Sequence, residues 1–425
     1  MNRAKHYDPI LFGLTALVTL LGLLFILDAG YARSLAEGRG YLPKEFTQQL
    51  MFLGFSGVAY WIVARFHAER WLKAAGIIWF LSLASLIAVE VVGTTMNGAT
   101  RWLALGPIKI QPAEFVKLST VLYLAAYFAT RPALTTEKYR DWGAYLDANF
   151  GAIVRRYMPS IWVGLAFYLI EKEPDLGTGA MVAVIAFTMF FAGGISKRSI
   201  AICVGIALMG ILFTIYKQPY RLDRITNHAD RWSLRNVDDI GFQTVQSELG
   251  MANGALVGVG PGAGRSKHVM PATTTDFVMA TVGEEFGLLG CLLVLGLIGG
   301  LVWRTMYLAA KADSQFKMLV LYGVAAWIGI QTCVNMMMAN GFLPAIGIPL
   351  PFISSGGSSL FALWMAIGIC QAMLLPVPVK EERRAPSRYR WGNGGARVSR
   401  PRSGQAGTRP GGGAQVPRVV ARPRR

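Results

Sequence analysis

Three stretches set titratable or hydroxyl side chains inside an otherwise apolar chain. In Gln111-Pro112-Ala113-Glu114-Phe115-Val116-Lys117, Pro112 suits a first helical position, where its missing N–H is not needed. The i, i+3, i+6 spacing then lines Gln111, Glu114 and Lys117 along one helix face. Glu114 and Lys117 can pair and shield each other from lipid, so they either hold two helices together or line a polar cavity open to the outer leaflet. In the second stretch, Thr275-Asp276-Phe277 leads into an apolar run carrying Gly283-Glu284-Glu285-Phe286-Gly287. Asp276 sits where a long loop meets the membrane, and partial desolvation there would raise its pKa toward the range of a general base. Asp is equally a favoured helix cap, and a helix is expected to start here. Gly283 and Gly287 form a small-xxx-small pair suited to close helix packing.

The third stretch, Pro349 to Ser359, reads PLPFISSGGSS and opens the last apolar run with a broken, hydroxyl-rich backbone. Irregular backbone at membrane depth is tolerated only where protein or water satisfies it. The segment therefore either lines a cavity, with Ser354 and Ser358 as candidate cavity residues, or forms a Gly/Ser packing interface. Arg101 (beside Trp102), Arg221, Arg224, Arg265 and Lys267 are the cations expected on the outer side. They could receive a phosphate or pyrophosphate, and Arg101 is best placed, close in sequence to the Glu114 helix. His228 and His268 have no ligand spacing, and Cys203, Cys291, Cys333 and Cys370 stand singly in apolar runs, which argues against a zinc site or a disulfide framework. No Walker loop, Rossmann fingerprint, haem motif or nucleic-acid module is present.

Apolar spans must position these groups. Of the 425 residues 53% are hydrophobic and only 16% charged, which excludes a secreted disulfide scaffold and a typical cytosolic enzyme and argues for one membrane-embedded unit. A bilayer core takes about 20 mostly apolar residues per helix. Ten spans are predicted on that basis, at about 9–28, 47–66, 71–93, 112–130, 157–171, 175–195, 199–216, 277–303, 316–340 and 350–376. The first is expected to be retained, because Asp8 and Pro9 lead into an apolar stretch too long for a signal peptide. Lys and Arg in the connections place both termini inside the cell. The outer side then receives the segment from Glu90 to Gln111 and a large loop, 217–275, expected to fold on the membrane with Phe242, Val245 and Leu249 on its apolar face.

The formal charge of +18 would suggest nucleic acid in a soluble protein, but its location decides otherwise. Residues 380–425 hold 13 Lys and Arg against two Glu. The segment 377–425 reads as a disordered basic cytoplasmic tail suited to anionic membrane lipids, with no nucleic-acid partner. Residues 1–376 form the polytopic unit.

Taken together, the chain resembles the SEDS family (shape, elongation, division and sporulation), whose members FtsW, RodA and SpoVE polymerise peptidoglycan. Four stretches carry the resemblance, in family order and spacing: Gly98 to Leu103 with Gln111 to Lys117, Pro174 to Thr178, Thr275 to Gly290, and Gly347 to Ser359. It implies an all-α membrane protein with ten helices, and inverting glycosyl transfer from lipid II, a disaccharide-pentapeptide on undecaprenyl pyrophosphate. A class B penicillin-binding protein is the implied partner. Asp276 matches the family's essential loop aspartate and becomes the candidate general base, while Glu114, Lys117, Glu284 and Glu285 match its polar cavity and acidic pair. Arg101, Lys117 or a divalent cation (Mg or Mn) would neutralise the leaving group; no cofactor is certain and no metal ligand can be named.

Where the family usually reads Leu-Pro-Glu-Ala-His-Thr-Asp-Phe, this chain has Met270-Pro271-Ala272-Thr273-Thr274-Thr275-Asp276-Phe277, and Ser355 replaces a customary tyrosine. The ending and tail lean toward an FtsW-like over a RodA-like member. Two alternatives to a polymerase stand beside it: a noncatalytic scaffold for a penicillin-binding protein, suggested by the altered loop, and a lipid-precursor flippase, suggested by Glu114 and Lys117.

Overall fold

The computed structural model describes residues 7–38, 40–96, 99–106, 108–130, 158–194, 205, 226–234, 236–237, 241–270 and 273–376. The span expected at 199–216 (apart from Gly205), the tail from 377, and Arg221, Arg224, Pro271 and Ala272 lie outside the described residues.

The described chain is mostly helical. Helix α1 (Pro9–Ala36) opens with Asp8 as its N-cap, accepting from Leu11 N at 2.7 Å, and Pro9 in the first turn. It is followed by α2 (Lys44–Val63) and by α3 (Ala68–Val92), which ends at Gly93. Three short antiparallel strands come next: β1 (Thr94–Met96), β2 (Ala99–Leu105) and β3 (Ile108–Ile110), in the order β1-β2-β3, with Thr94 opposite Trp102 and Leu103 opposite Ile110. Helix α4 (Pro112–Ala129) starts as its sequence predicts, with Gln111 at the N-cap and Pro112 behind it. Residues 158–172 form α5. Helix α6 (Leu176–Ala192) is capped by Asp175, whose side chain accepts from Thr178 N at 3.0 Å. Then come α7 (Phe242–Gly254), the single turn α8 (Ser266–Val269), α9 (Val278–Ala310), α10 (Gln315–Ala339) and α11 (Gly357–Met373).

Four helices among the described residues have a stretch long and apolar enough to cross a membrane: Pro9–Tyr31, Ala68–Val92, Val278–Ala310 and Gln315–Ala339. Leu20, Leu24, Ile77, Leu81, Leu289 and Leu293 on their flanks are exposed, as lipid-facing side chains are in a membrane protein that packs its interior like any other. The chain is an integral membrane protein. Its core runs between α4 and α10, where Val116, Leu124, Leu319 and Trp327 are fully buried. Opposite them α2 and α11 meet closely, since a Cβ added at Gly368 would lie 2.9 Å from the Tyr60 carbonyl oxygen. The start of α1 is tied to α9 and α11: Arg304 pairs with Asp8 at 2.6 Å, and Gln371 exchanges two hydrogen bonds with the Asp8 backbone.

Three details depart from the sequence reading. The last helix begins at Gly357 rather than near 350, because residues 347–356 are irregular, as the Gly/Ser run foretold. Helix α9 is broken at Gly287 (φ 64°, ψ −163°), a conformation open to glycine alone. Gly283 still serves a close helix contact, since a Cβ added there would lie 2.9 Å from Met251 of α7, whereas Gly287 faces the backbone of Leu256 and Gly258. The break frees backbone groups that pair with residues 255–260: Leu288 N and Leu289 N donate to Ala255 O and Leu256 O, and Val259 N and Gly260 N donate to Glu284 O and Glu285 O, all between 2.9 and 3.1 Å. Finally, α7 buries Val245 as expected but leaves Leu249 exposed. Its inward face is instead Thr244, Val245, Ser247, Gly250 and Gly254, because α7 lies so near α9 that a Cβ on Gly254 would collide with the Gly283 carbonyl.

Candidate active site

Strand β2 and the N-terminal ends of α4, α6, α9 and α11 carry the polar residues singled out above. Asp276 lies in the turn 273–277 just ahead of α9, and it does not cap that helix: Phe277 occupies the N-cap position, with no side-chain cap bond. Its backbone is anchored instead. Asn335 Nδ2, fully buried on α10, donates to both Asp276 O and Ile348 O at 2.8 Å. Gly347, with φ +75°, runs so near the carboxylate that an added Cβ would lie 3.7 Å from Asp276 Oδ2. Burial pushes the Asp276 pKa up to about 6; the charge of Asp175 adds to the shift and Arg101 opposes it.

Arg101 projects from β2 into the turn between α5 and α6. Its Nε donates to Glu173 O at 2.8 Å, its Nη2 donates to Pro174 O, and its Nη1 stands 4.0 Å from Asp175 Oδ2. Two carbonyls and one carboxylate thus fix a guanidinium whose side chain stays 32% exposed, enough to meet an anion from outside. Asp175 is shared further: besides capping α6, it accepts from Gln111 Nε2 at 2.8 Å and from Thr178 Oγ1 at 3.0 Å. Gln111 N in turn donates to Ser358 Oγ at 3.0 Å. A continuous polar row therefore runs from Arg101 through Asp175 and Gln111 to Ser358, joining four elements. Trp102, half-buried on β2, accepts from Thr94 Oγ1 through its backbone carbonyl at 3.2 Å.

The other predicted residues are held elsewhere. Glu114 and Lys117 pair at 2.8 Å and are 3% and 1% exposed. Lys117 also donates to Gln331 Oε1 at 3.3 Å, and Gln331 Nε2 donates to Pro349 O at 2.8 Å. The pair is sealed inside the bundle and linked to the broken segment through Gln331. Ser354 Oγ accepts from Leu350 N at 2.8 Å, closing the turn within that segment, while Gln49 Nε2 on α2 donates to Ser354 O at 3.2 Å. Glu284 accepts from Arg265 N, Ser266 N, Ser266 Oγ and Asn253 Nδ2. Glu285 accepts from Gly262 N and Gly264 N and pairs with Lys267 at 2.6 Å. Lys267 reaches across to Asp28 on α1 at 2.9 Å. These two glutamates clamp the glycine loop ahead of the Asp276 turn, and their oxygens are already engaged.

Reasoning on sequence left Asp175 as a motif residue without a role, and it missed Glu173, Gln331 and Asn335. The last two carried a readable signal, amide side chains four residues apart within an apolar span. Among the described residues no three His, Cys, Asp or Glu side chains gather to hold a metal ion.

The family described as "Cell cycle protein", that of FtsW, RodA and SpoVE, matches residues 8–375. The chain is 31% identical over 376 residues to a protein of Aromatoleum aromaticum named probable peptidoglycan glycosyltransferase FtsW, covering 86% of this chain and 87% of that one. It is also 31% identical to stage V sporulation protein E of Bacillus subtilis, covering 85% and 95%. Among solved structures it is similar to a chain from a peptidoglycan synthase complex, with TM-score 0.70, 26% identity and coverage of 87% and 98%. It is similar as well to the rod shape determining protein RodA of Thermus thermophilus, with TM-score 0.62, 26% identity and coverage of 88% and 98%. A family match over residues 8–375, joined to the same fold, makes this chain a member of the FtsW/RodA/SpoVE family.

Proposed function

We propose that this chain is a peptidoglycan glycosyltransferase that polymerises lipid II at the outer face of the cytoplasmic membrane, serving cell division. The observation that carries the reading is Asp276: a carboxyl group with a pKa near 6, poised at the membrane surface within the field of Arg101, with no side chain among the described residues paired to it. In the transfer, Asp276 takes the proton of the acceptor sugar hydroxyl as that oxygen bonds to the anomeric carbon. The bond from that carbon to pyrophosphate breaks on the opposite face, which inverts the centre. Arg101 offers positive charge to the departing pyrophosphate, and Asp276 then releases its proton to solvent. A sugar hydroxyl is a poor nucleophile and pyrophosphate a good leaving group, so one base and one cation suffice.

Ten spans with both termini cytoplasmic, and 217–275 as the large outer loop, complete the proposal, supported by the placement of Lys and Arg in the connections. Similarity to a chain from a peptidoglycan synthase complex supports a class B penicillin-binding protein as partner. The test is glycan-strand formation from labelled lipid II, with and without such a partner. The wild type is expected to make polymer and Asp276→Asn none. Polymer from Asp276→Asn at a rate near that of the wild type would overturn the base assignment, and a stable complex without polymer from the wild type would favour the scaffold. Movement of lipid II between leaflets that depends on Glu114 and Lys117 but not on Asp276 would favour the flippase.

A further inference from the structure

Glu173 takes no part in the chemistry above through its side chain, yet it is the one acid among the described residues with both carboxyl oxygens buried and without a hydrogen-bond partner. The residue is 2% exposed. It belongs to the same turn, 173–175, whose carbonyls hold Arg101. The charged groups that face it are Asp175 in that turn, Arg101 on β2 and Glu90 on α3; Glu90 is itself paired with Lys172 at 3.4 Å. A carboxylate taken out of water with no donor to receive it becomes neutral rather than remain charged. Two negative neighbours against one positive push in the same direction.

We infer that Glu173 is a positioning residue that works in its neutral form. Protonated, it leaves the Arg101 guanidinium facing outward to receive a lipid-linked pyrophosphate. Ionised, it draws the guanidinium inward and sets a second negative charge beside Asp175, where the pyrophosphate must come. The Glu173 pKa is pushed up to about 8, by burial first and then by the charge of Asp175, with Arg101 opposing and Glu90 adding. The group is therefore neutral at neutral pH and ionises just above it. The identity of the ligand rests on the glycosyltransferase reading; the protonation of Glu173 does not.

Two measurements on the full-length chain test this. In the Asp276→Asn background, which holds lipid II without consuming it, affinity for lipid II is compared at about pH 7 and about pH 9. One pH unit above its pKa only about a tenth of a carboxylic acid remains neutral, so affinity is expected to fall roughly tenfold. Adding Glu173→Gln, neutral at every pH, is expected to abolish that fall. The pyrophosphate of lipid II is a diester and does not titrate in this window, so the change belongs to the protein. In parallel, the infrared carboxylic C=O band of Glu173, assigned by its loss in Glu173→Gln, is expected at neutral pH, should fall by about half near pH 8 and should be largely gone at about pH 9. Glu173→Met serves as a second neutral variant if the glutamine variant does not fold. An unchanged loss of affinity in the neutral variants, or a missing band at neutral pH, would overturn the proposal. If lipid II binds to none of these proteins, the glycosyltransferase reading fails, and the band alone decides whether Glu173 is neutral.

Discussion

Ser355 N donates a 2.7 Å hydrogen bond to Thr274 O. Two positions at which this chain departs from the family pattern, a histidine and a tyrosine by resemblance, therefore lie against each other, and the first of them, Thr274, stands two residues before Asp276. The bond is made by backbone atoms, so it survives the change of both side chains and keeps the Asp276 turn tied to the broken segment ahead of α11. What changes is the volume and polarity beside it. Thr274→His and Ser355→Tyr are accordingly expected to be non-additive, with a coupling of about 0.5–3 kcal/mol. A double-mutant cycle on the rate of glycan-strand formation checks this; effects that simply add would show that the two positions act independently.

Asp276 can accept a proton only when ionised. With a pKa near 6 in the folded protein, set chiefly by burial, activity is expected to fall about tenfold for each pH unit below that value. Asp276→Asn is expected to lose about 10²–10⁴-fold in rate and with it the acid limb. A pH–rate profile of the purified protein decides the matter: a limb near pH 4, where an ordinary carboxylate titrates, would assign the base elsewhere.

Arg101 is held by two carbonyls through a planar fork of donors, which the single ammonium of lysine cannot reproduce. Arg101→Lys should therefore behave nearly as badly as Arg101→Gln. Both are expected to lower kcat/KM by about 10²–10³-fold, mostly through kcat, since the guanidinium matters most when the pyrophosphate departs. Steady-state kinetics on lipid II measures the split, and a change confined to KM would reduce Arg101 to a binding role.

Lys267 joins Glu285 and Asp28 with its side chain 3% exposed. Removing one member of a buried pair strands the other, at a cost of about 3–5 kcal/mol. Lys267→Met leaves two carboxylates facing each other without their cation, and should lower the thermal midpoint in detergent and expose residues 255–265 to protease. Lys267→Met combined with Glu285→Gln is expected to recover part of that loss. Equal midpoints for the single and double variants would mean that the loop is held by its backbone bonds alone.

Much of the architecture was legible in the residues. Pro112 announced a helix start that the structure reproduces, the first span was expected from residue 9, where α1 begins, and the Gly/Ser run announced a broken backbone before the last helix. The candidate site was legible only in part. Asp276 and Arg101 stood out because each is a charge next to an apolar run, a feature that needs only the neighbouring sequence to be seen. Glu284 and Glu285 stood out for the same reason, yet their oxygens are engaged by the glycine loop, and no local pattern distinguishes an acid that meets substrate from one that meets backbone amides.

Local physics thus determined that the chain is a bundle of membrane helices, where most of those helices begin and end, and which polar side chains had to be explained, because hydropathy and capping act over a few neighbouring residues. Tertiary structure alone decided which of those side chains meet. Arg101 finds its partners 72 residues or more away, Asn335 holds Asp276 across 59 residues, and Glu114 and Lys117 are sealed by helices from distant parts of the chain. Such meetings depend on helix packing and on the carbonyls and amides left free where α9 breaks and where residues 347–356 run irregularly, and sequence spacing records none of these.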